Sequence, residues 1–213
     1  MADMDSTLVI SETLDEIANL IGIGNKVKKI TALTMEGKLN FKQSFIRRVE
    51  LLKNQPSNLI EIIKNKIIYN NGAKELIDTM RRNGSKCAIV TGGFKIIAQK
   101  VKEDLGIDYL QANDLEVLNE KITGKVKFPI YDSNSKLKKL LSLTNKLKIN
   151  LQNTCAIGDG ANDLSMIEKS GLGVSYRGKS FLKKHSKYNL DYSDLTGLLF
   201  LQGYTKDEIF IKN

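Results

Sequence analysis

Four short polar clusters contain the residue types best suited to chemistry in this chain. Two of them directly follow apolar runs: Thr-Gly-Gly-Phe at residues 91–94 and Gly-Asp-Gly-Ala-Asn-Asp at residues 158–163. The other two are Asp-Met-Asp-Ser-Thr at residues 3–7 and Lys136 in a lysine-rich segment. Each pattern alone is common in turns or on solvated surfaces. Because all four fall at predicted strand ends or helix starts, we interpret them as parts of one site.

Carboxylates, a hydroxyl, glycine amides and a lysine are together suited to phosphoryl transfer. Carboxylates such as Asp3 and Asp159 are preferred ligands of Mg²⁺, which often also binds substrate phosphate. One carboxylate can attack phosphorus and form an aspartyl phosphate, and a second, two residues on, can protonate the leaving alcohol and then activate water. Thr91, the glycine amides and Lys136 would stabilise the phosphoryl oxygens. The pattern predicts a phosphate substrate and Mg²⁺ as cofactor.

The hydrophobic pattern predicts a scaffold that brings these clusters together. From Gly72 onward, short apolar runs alternate with amphipathic helical segments. The predicted strands lie near residues 87–91, 109–112, 154–157 and 172–175, with a hairpin within 115–126. The predicted helices lie near residues 73–83, 94–105, 135–148 and 162–170. This alternation is typical of an α/β fold with a doubly wound, mainly parallel sheet, whose ligands bind at the carboxyl ends of the strands.

Residues 12–70 have a different, helical pattern. Helices are predicted near residues 13–21, 25–35, 41–53 and 57–67. Thr13 and Glu16 form a capping box for the first of them, and Pro56 with Ser57 marks the start of the last. The chain therefore combines an α/β core with an inserted helical region.

Composition excludes several classes of protein. With 213 residues and 41% hydrophobic residues, the chain has enough apolar surface for a packed core. No apolar run approaches the roughly 18 residues that span a bilayer, and no signal-peptide pattern is present. Two cysteines without a CxxC motif are incompatible with a disulfide scaffold or a zinc finger. We expect a cytoplasmic protein without a membrane partner.

The formal net charge of +9 raises the question of a nucleic-acid partner. The excess is concentrated in residues 121–150, which contain eight lysines and one aspartate. Lysines alternate there with leucines in a helical pattern, which indicates a helix with a solvated lysine face. No aromatic residues alternate with these lysines, as a base-stacking surface requires. We expect no nucleic-acid partner, and the oligomeric state remains open.

The order and spacing of the clusters resemble the haloacid dehalogenase superfamily and, within it, the phosphoserine phosphatases. Further matching segments are Glu12, residues 35–41, residues 47–49 and residues 194–196. The resemblance implies a Rossmann-like core of residues 1–10 and 71–213, with a helical cap of residues 11–70 that closes over the substrate. It also implies hydrolysis of O-phosphoserine, the last step of serine biosynthesis.

The resemblance implies specific residue roles. Asp3 would be the nucleophile and Asp5 the general acid/base. Mg²⁺ would be bound by Asp3, the Asp5 carbonyl and Asp159, with Asp163 supporting the site. The implied substrate-binding residues are Glu12 for the ammonium, Arg48 for the carboxylate, Met35 and Phe41 on the cap side, and Thr91, Gly92, Gly93, Lys136 and Asn162 around the phosphate. The implied partner is thus a small phosphorylated amino acid.

Three alternatives remain open. The same chemistry would serve a phosphotransferase to an amino-acid alcohol or a small-molecule phosphomonoesterase. A basic binding module with a vestigial site would also have the observed charge.

The resemblance includes an apolar central strand before the nucleophile, whereas only Met1 and Ala2 precede Asp3 here. We expect that strand to be truncated, so that the strands ending at Thr91 and Asp159 lose the neighbour between them.

Overall fold

The computed structural model describes residues 1–35 and 38–210, except for the side chain of Met35. Its helices are α1 (Thr13–Leu20), α2 (Gly24–Met35), α3 (Phe41–Glu50), α4 (Asn58–Asn65), α5 (Ala73–Arg82), α6 (Lys95–Leu105), α7 (Ser133–Leu147), α8 (Leu164–Lys169), α9 (Ser180–His185) and α10 (Gly197–Leu201). Among the described residues, no helix is both long enough and apolar enough to cross a membrane.

The described residues contain six strands. They are β1 (Ala88–Phe94), β2 (Tyr109–Leu118), β3 (Lys121–Lys127), β4 (Cys155–Gly158), β5 (Leu172–Tyr176) and β6 (Tyr188–Leu190). Strands β1 and β2 are parallel, as are β4, β5 and β6, while β3 runs antiparallel to β2. The α/β class with a mainly parallel sheet is therefore confirmed. Strand β6 and the helix α10 were absent from the sequence prediction, because both are short and lack clear periodicity.

The first residues of the chain lie between β1 and β4. Ala2 forms parallel bridges with Ile89 and Ile157, and its amide donates to the carbonyl of Ala88 at 2.9 Å. The amide of Asp3 donates to the carbonyl of Ile157 at 3.0 Å. Contrary to the expectation, β1 and β4 thus share a neighbour, the single residue Ala2. This pairing places Asp3 at the same sheet edge as the ends of β1 and β4.

A cavity of about 160 Å³ lies beside Met1 and is lined by residues of both flanking strands, including Ala88 and Cys155. An extension of about five apolar residues before Met1 is expected to continue the segment between β1 and β4 as a strand, with the side chain nearest Met1 in this cavity. Each buried large aliphatic side chain contributes roughly 1.5–3 kcal/mol, so the melting temperature should rise by at least about 5 °C.

The measurement is thermal unfolding of the 213-residue chain, of the apolar extension and of a Gly/Ser extension of equal length. The Gly/Ser variant controls for added chain length. Equal melting temperatures for all three proteins would contradict the proposed strand position.

The helices α1 to α4 are connected to the core by two adjacent segments. Val9 bridges Tyr69 in antiparallel fashion, the amide of Ile10 donates to the carbonyl of Ile68 at 2.9 Å, and the amide of Asn70 donates to that of Leu8 at 2.9 Å. The chain therefore leaves and re-enters the core at neighbouring points. The assignment of residues 11–70 as a cap domain stays a prediction.

A second contact joins the helical region to the β2–β3 hairpin. The amide of Asn54 donates to the carbonyl of Ile122, and the amide of Ile122 donates to that of Gln55, each at 2.8 Å. Pro56 bridges Lys121. The loop between α3 and α4 thus continues the edge of the hairpin and holds the helical region over the core.

Candidate active site

Asp3 occupies the end of the short central segment and is buried. One oxygen, Oδ1, accepts a hydrogen bond from the amide of Met4 at 2.7 Å. The chain then turns tightly through residues 4–8, with Ser6 at a left-handed φ of 57°. This turn brings the next carboxylate, Asp5, back toward the same sheet edge, where its Oδ2 lies close to Gly93.

Lys136 joins two carboxylates in the buried part of the site. Its ammonium lies 2.9 Å from Asp3 Oδ2 and 2.5 Å from Asp163 Oδ1. Burial disfavours the charged amine, but the charges of Asp163 and Asp3 outweigh it and raise the pKa of Lys136 above its ordinary value. Asp132 caps α7 through the amide of Ser135 at 3.1 Å, which fixes the helix turn that carries Lys136.

Three buried aspartates form an oxygen-rich cluster. Ligand atoms of Asp3, Asp159 and Asp163 lie within 4.8 Å of one another. Both oxygens of Asp163 are engaged, because Oδ1 contacts Lys136 and Oδ2 accepts from the amide of Gly160 at 3.1 Å. Burial is the main cause that raises the pKa of Asp159. The cluster fits a hard divalent cation such as Mg²⁺, with Asp3 and Asp159 offering oxygens and Asp163 orienting its neighbours.

The end of β1 forms a concave backbone surface beside these carboxylates. The hydroxyl of the buried Thr91 accepts a hydrogen bond from the amide of Gly93 at 2.9 Å. A Cβ at Gly93 would lie 2.8 Å from Asp5 Oδ2, and one at Gly92 would lie 2.7 Å from the ring of Phe41. Both glycines are therefore required for close approach, and Phe41 covers this surface from the side of α3.

Asp5 is tied to the first helix of the inserted region. Its Oδ1 accepts from the amide of Thr13 at 3.2 Å, and Oδ2 accepts from the Thr13 hydroxyl at 3.4 Å. Burial, followed by the charges of Glu12 and Asp3, raises the pKa of Asp5 well above its ordinary value, although the Thr13 hydrogen bonds oppose this shift. A carboxyl that retains a proton more readily is suited to general acid chemistry.

Glu12 and Arg48 lie close enough to Asp5 to interact with its charge. Glu12 accepts a hydrogen bond from the hydroxyl of Ser6 at 3.2 Å. Burial lowers the pKa of Arg48, while the charges of Asp15, Glu12 and Asp5 oppose this change. Its Nε is buried without a hydrogen-bond partner among the described residues. A buried guanidinium donor without an acceptor is suited to an incoming carboxylate.

Two predicted residues are less well defined by these contacts. Asn162 follows Gly160 in the loop after β4, and a Cβ at Gly160 would lie 2.3 Å from its Oδ1. This places Asn162 beside the aspartate cluster. The side chain of Met35 lies outside the described residues, so its predicted contact with substrate stays a prediction.

Comparison with known proteins places this arrangement in a family. The family model described as haloacid dehalogenase-like hydrolase matches residues 1–168. This chain belongs to the haloacid dehalogenase-like hydrolases. The haloacid dehalogenase-like match includes all four polar clusters, from Asp3 through Asp163.

Several proteins that are similar to this chain are phosphoserine phosphatases by name. The protein from Methanocaldococcus jannaschii is 44% identical over 197 residues, which cover 92% of this chain and 93% of that protein. The Archaeoglobus fulgidus protein is 40% identical over 92% of this chain, which spans only 57% of that protein's length. A solved substrate-bound phosphoserine phosphatase complex has a TM-score of 0.88 and 42% identity, covering 94% of this chain and 95% of that one.

Sequence reasoning missed two polar residues of this haloacid dehalogenase-like hydrolase. Thr13 was read only as a helix cap, although it donates to Asp5. Lys179 lies with its ammonium 3.1 Å from Asp159 Oδ2 and 3.4 Å from Glu12 Oε1. A usable signal existed for Lys179, because it lies three residues after the end of the strand at 172–176 and thus near the carboxyl edge of the sheet.

Proposed function

We propose that this chain is a Mg²⁺-dependent phosphatase that hydrolyses O-phosphoserine to serine and phosphate. The observation that carries the proposal is the buried arrangement of Asp3, Lys136 and Asp163 beside Asp159, at the carboxyl ends of β1 and β4. The names of the relatives, at 35–44% identity over most of this chain, support phosphoserine as the substrate.

The first half of the reaction transfers the phosphoryl group to the protein. A carboxylate oxygen of Asp3 forms a bond to phosphorus, and the bond from phosphorus to the serine oxygen breaks. Asp5 donates its proton to that serine oxygen, so serine leaves as the neutral alcohol. Thr91, the amide of Gly93 and Lys136 stabilise the charge on the phosphoryl oxygens during transfer.

The second half releases phosphate. Asp5, now a carboxylate, accepts a proton from water as the water oxygen attacks phosphorus. The bond between phosphorus and the Asp3 oxygen breaks, and both carboxyl groups return to their starting states. When bound through Asp3, the Asp5 carbonyl and Asp159, Mg²⁺ would supply positive charge beside the phosphate.

The remaining substrate groups fit the opening of the site. Glu12 offers a carboxylate to the ammonium group, and Arg48 offers a guanidinium to the carboxylate. Phe41 lies over Gly92 and stacks on Phe45 at 5.9 Å between ring centroids, so it would exclude water from this side. We infer that residues 11–70 act as a cap for these contacts.

Both cysteines are free thiols, which supports a reducing cytoplasmic location.

The test is phosphate release from phosphoserine, phosphothreonine, phosphoethanolamine and glycerol phosphate. Phosphoserine should be hydrolysed fastest, EDTA should abolish release and Mg²⁺ should restore it. Absence of phosphate release from all four esters with Mg²⁺ would contradict the phosphatase assignment. Preferential transfer to an added alcohol would instead favour a phosphotransferase, which requires the same residues.

A further inference from the structure

Lys179 has no part in the proposed reaction, yet the backbone fixes it at the site. It follows β5 and caps α9, and its amide donates to the carbonyl of Asp159 at 2.8 Å. The turn before it is tight, because a Cβ at Gly178 would lie 2.1 Å from the hydroxyl of Ser175. The root of the Lys179 side chain is therefore held next to the end of β4.

The ammonium of Lys179 lies between two carboxylates with different expected ligands. Asp159 is buried and belongs to the aspartate cluster, whereas Glu12 is half-exposed. The side chain of Lys179 is 56% exposed, so its flexible stem can turn toward solvent without opening the core. The described geometry thus combines a fixed backbone with a movable charge.

Both carboxylates have competing cations in the proposed function. Asp159 would bind Mg²⁺, and Glu12 would bind the ammonium of an amino-acid phosphate. A group that neutralises a carboxylate only in the empty protein lowers the apparent affinity of any cation that must replace it. The ion pairs of Lys179 with Asp159 and Glu12 should therefore lower the apparent affinity for both Mg²⁺ and the substrate ammonium.

We propose that Lys179 is an internal counter-cation, which neutralises Asp159 and Glu12 in the empty site and is displaced by Mg²⁺ and by the substrate ammonium. It stabilises the metal-free protein and weakens the binding of both ligands. The substrate half of this proposal rests on the proposed function, whereas the Mg²⁺ half does not.

The decisive measurement is Mg²⁺ binding by titration calorimetry, without substrate, on the full chain. Lys179→Met preserves most of the side-chain length and removes the charge. We expect it to bind Mg²⁺ about twofold to fivefold more tightly, as the loss of an ion pair with a solvent-exposed lysine allows. In EDTA it should melt at a lower temperature than the parent chain, and Mg²⁺ should raise its melting temperature more.

Lys183→Met is the matched control, since Lys183 lies one turn further along α9 and pairs with Asp191 at 2.8 Å. It should leave the affinity for Mg²⁺ unchanged. Lys179→Gln provides a second neutral variant in case the methionine variant does not fold. Equal or weaker Mg²⁺ binding by the Lys179 variants would overturn the proposal, because Lys179 would then be neutral toward the metal or would help to orient Asp159.

The substrate half is measured separately, as the KM for phosphoserine at saturating Mg²⁺. Loss of the competing ammonium should lower KM severalfold and leave kcat nearly unchanged, a split that a general structural defect would not produce. An unchanged or higher KM would overturn this half. If the parent chain does not hydrolyse phosphoserine but its Lys179 variants bind Mg²⁺ more tightly, the proposed function fails and the counter-cation role stands.

Discussion

Asp3→Asn is expected to reduce phosphate release from phosphoserine by at least about 10⁴-fold, because a neutral amide is a poor nucleophile. The fold should persist. Lys136 keeps its contact with Asp163, and one of the three mutually repelling buried carboxylates loses its charge. The measurements are kcat for the two proteins and thermal unfolding in EDTA, where the variant should be at least as stable as the parent.

Asp114→Asn is the control for this substitution. Asp114 is a half-exposed carboxylate that pairs with Lys95 at 3.9 Å, outside the site, and its replacement should leave kcat unchanged. Appreciable turnover by Asp3→Asn would exclude Asp3 as the nucleophile. Loss of activity accompanied by a large fall in melting temperature would instead assign Asp3 a structural role.

Arg48→Ala is expected to remove most of the preference for phosphoserine over phosphoethanolamine, which lacks the carboxylate. Hydrogen bonds to a charged group contribute about 1.5–3 kcal/mol, which corresponds to roughly tenfold to a hundredfold in kcat/KM. The value for phosphoethanolamine should change much less. Glu12→Gln should lower kcat/KM for both substrates, since both contain an ammonium group.

Arg47→Ala is the matched control, because Arg47 is the exposed neighbour of Arg48 on α3. It should leave both kcat/KM values nearly unchanged. An equal decrease for both substrates in Arg48→Ala would argue that Arg48 binds phosphate or supports the fold. The assignment of phosphoserine would then lose its main support from the site itself.

The sequence predicted best the structural features that are set by local patterns of residues. Thr91 follows the apolar half of β1 and Asp159 follows β4, so their positions near the carboxyl ends of these strands were predictable from periodicity. The helix α6 ends at Leu105, as predicted, and is followed by Gly106, which has a left-handed φ of 69°. Such features depend on a few residues that are neighbours in the sequence, so one sequence is enough to predict them.

Features that depend on distant contacts were harder to predict. Strand β1 continues past Gly92 and Gly93 to Phe94, which pairs with Asn113 of β2 after an irregularity in the register, whereas two glycines alone indicate a turn. The predicted helix at 41–53 ends at Glu50, since the following residues pair with β3. The strand before Lys179 places it near the carboxyl edge of the sheet, but its contacts with Asp159 and Glu12 depend on how the chain turns after β5.

The adjacent entry and exit of the helical region have a topological consequence. Because residues 9–10 and 68–70 are hydrogen-bonded neighbours, a short loop could join them without threading through the sheet or altering the order of its strands. The entropy cost of such a closure is small. The four helices are therefore separable from the core in topology, and their exchange for another insertion should leave Asp3, Lys136 and Asp159 in register while replacing the residues that we propose select the substrate.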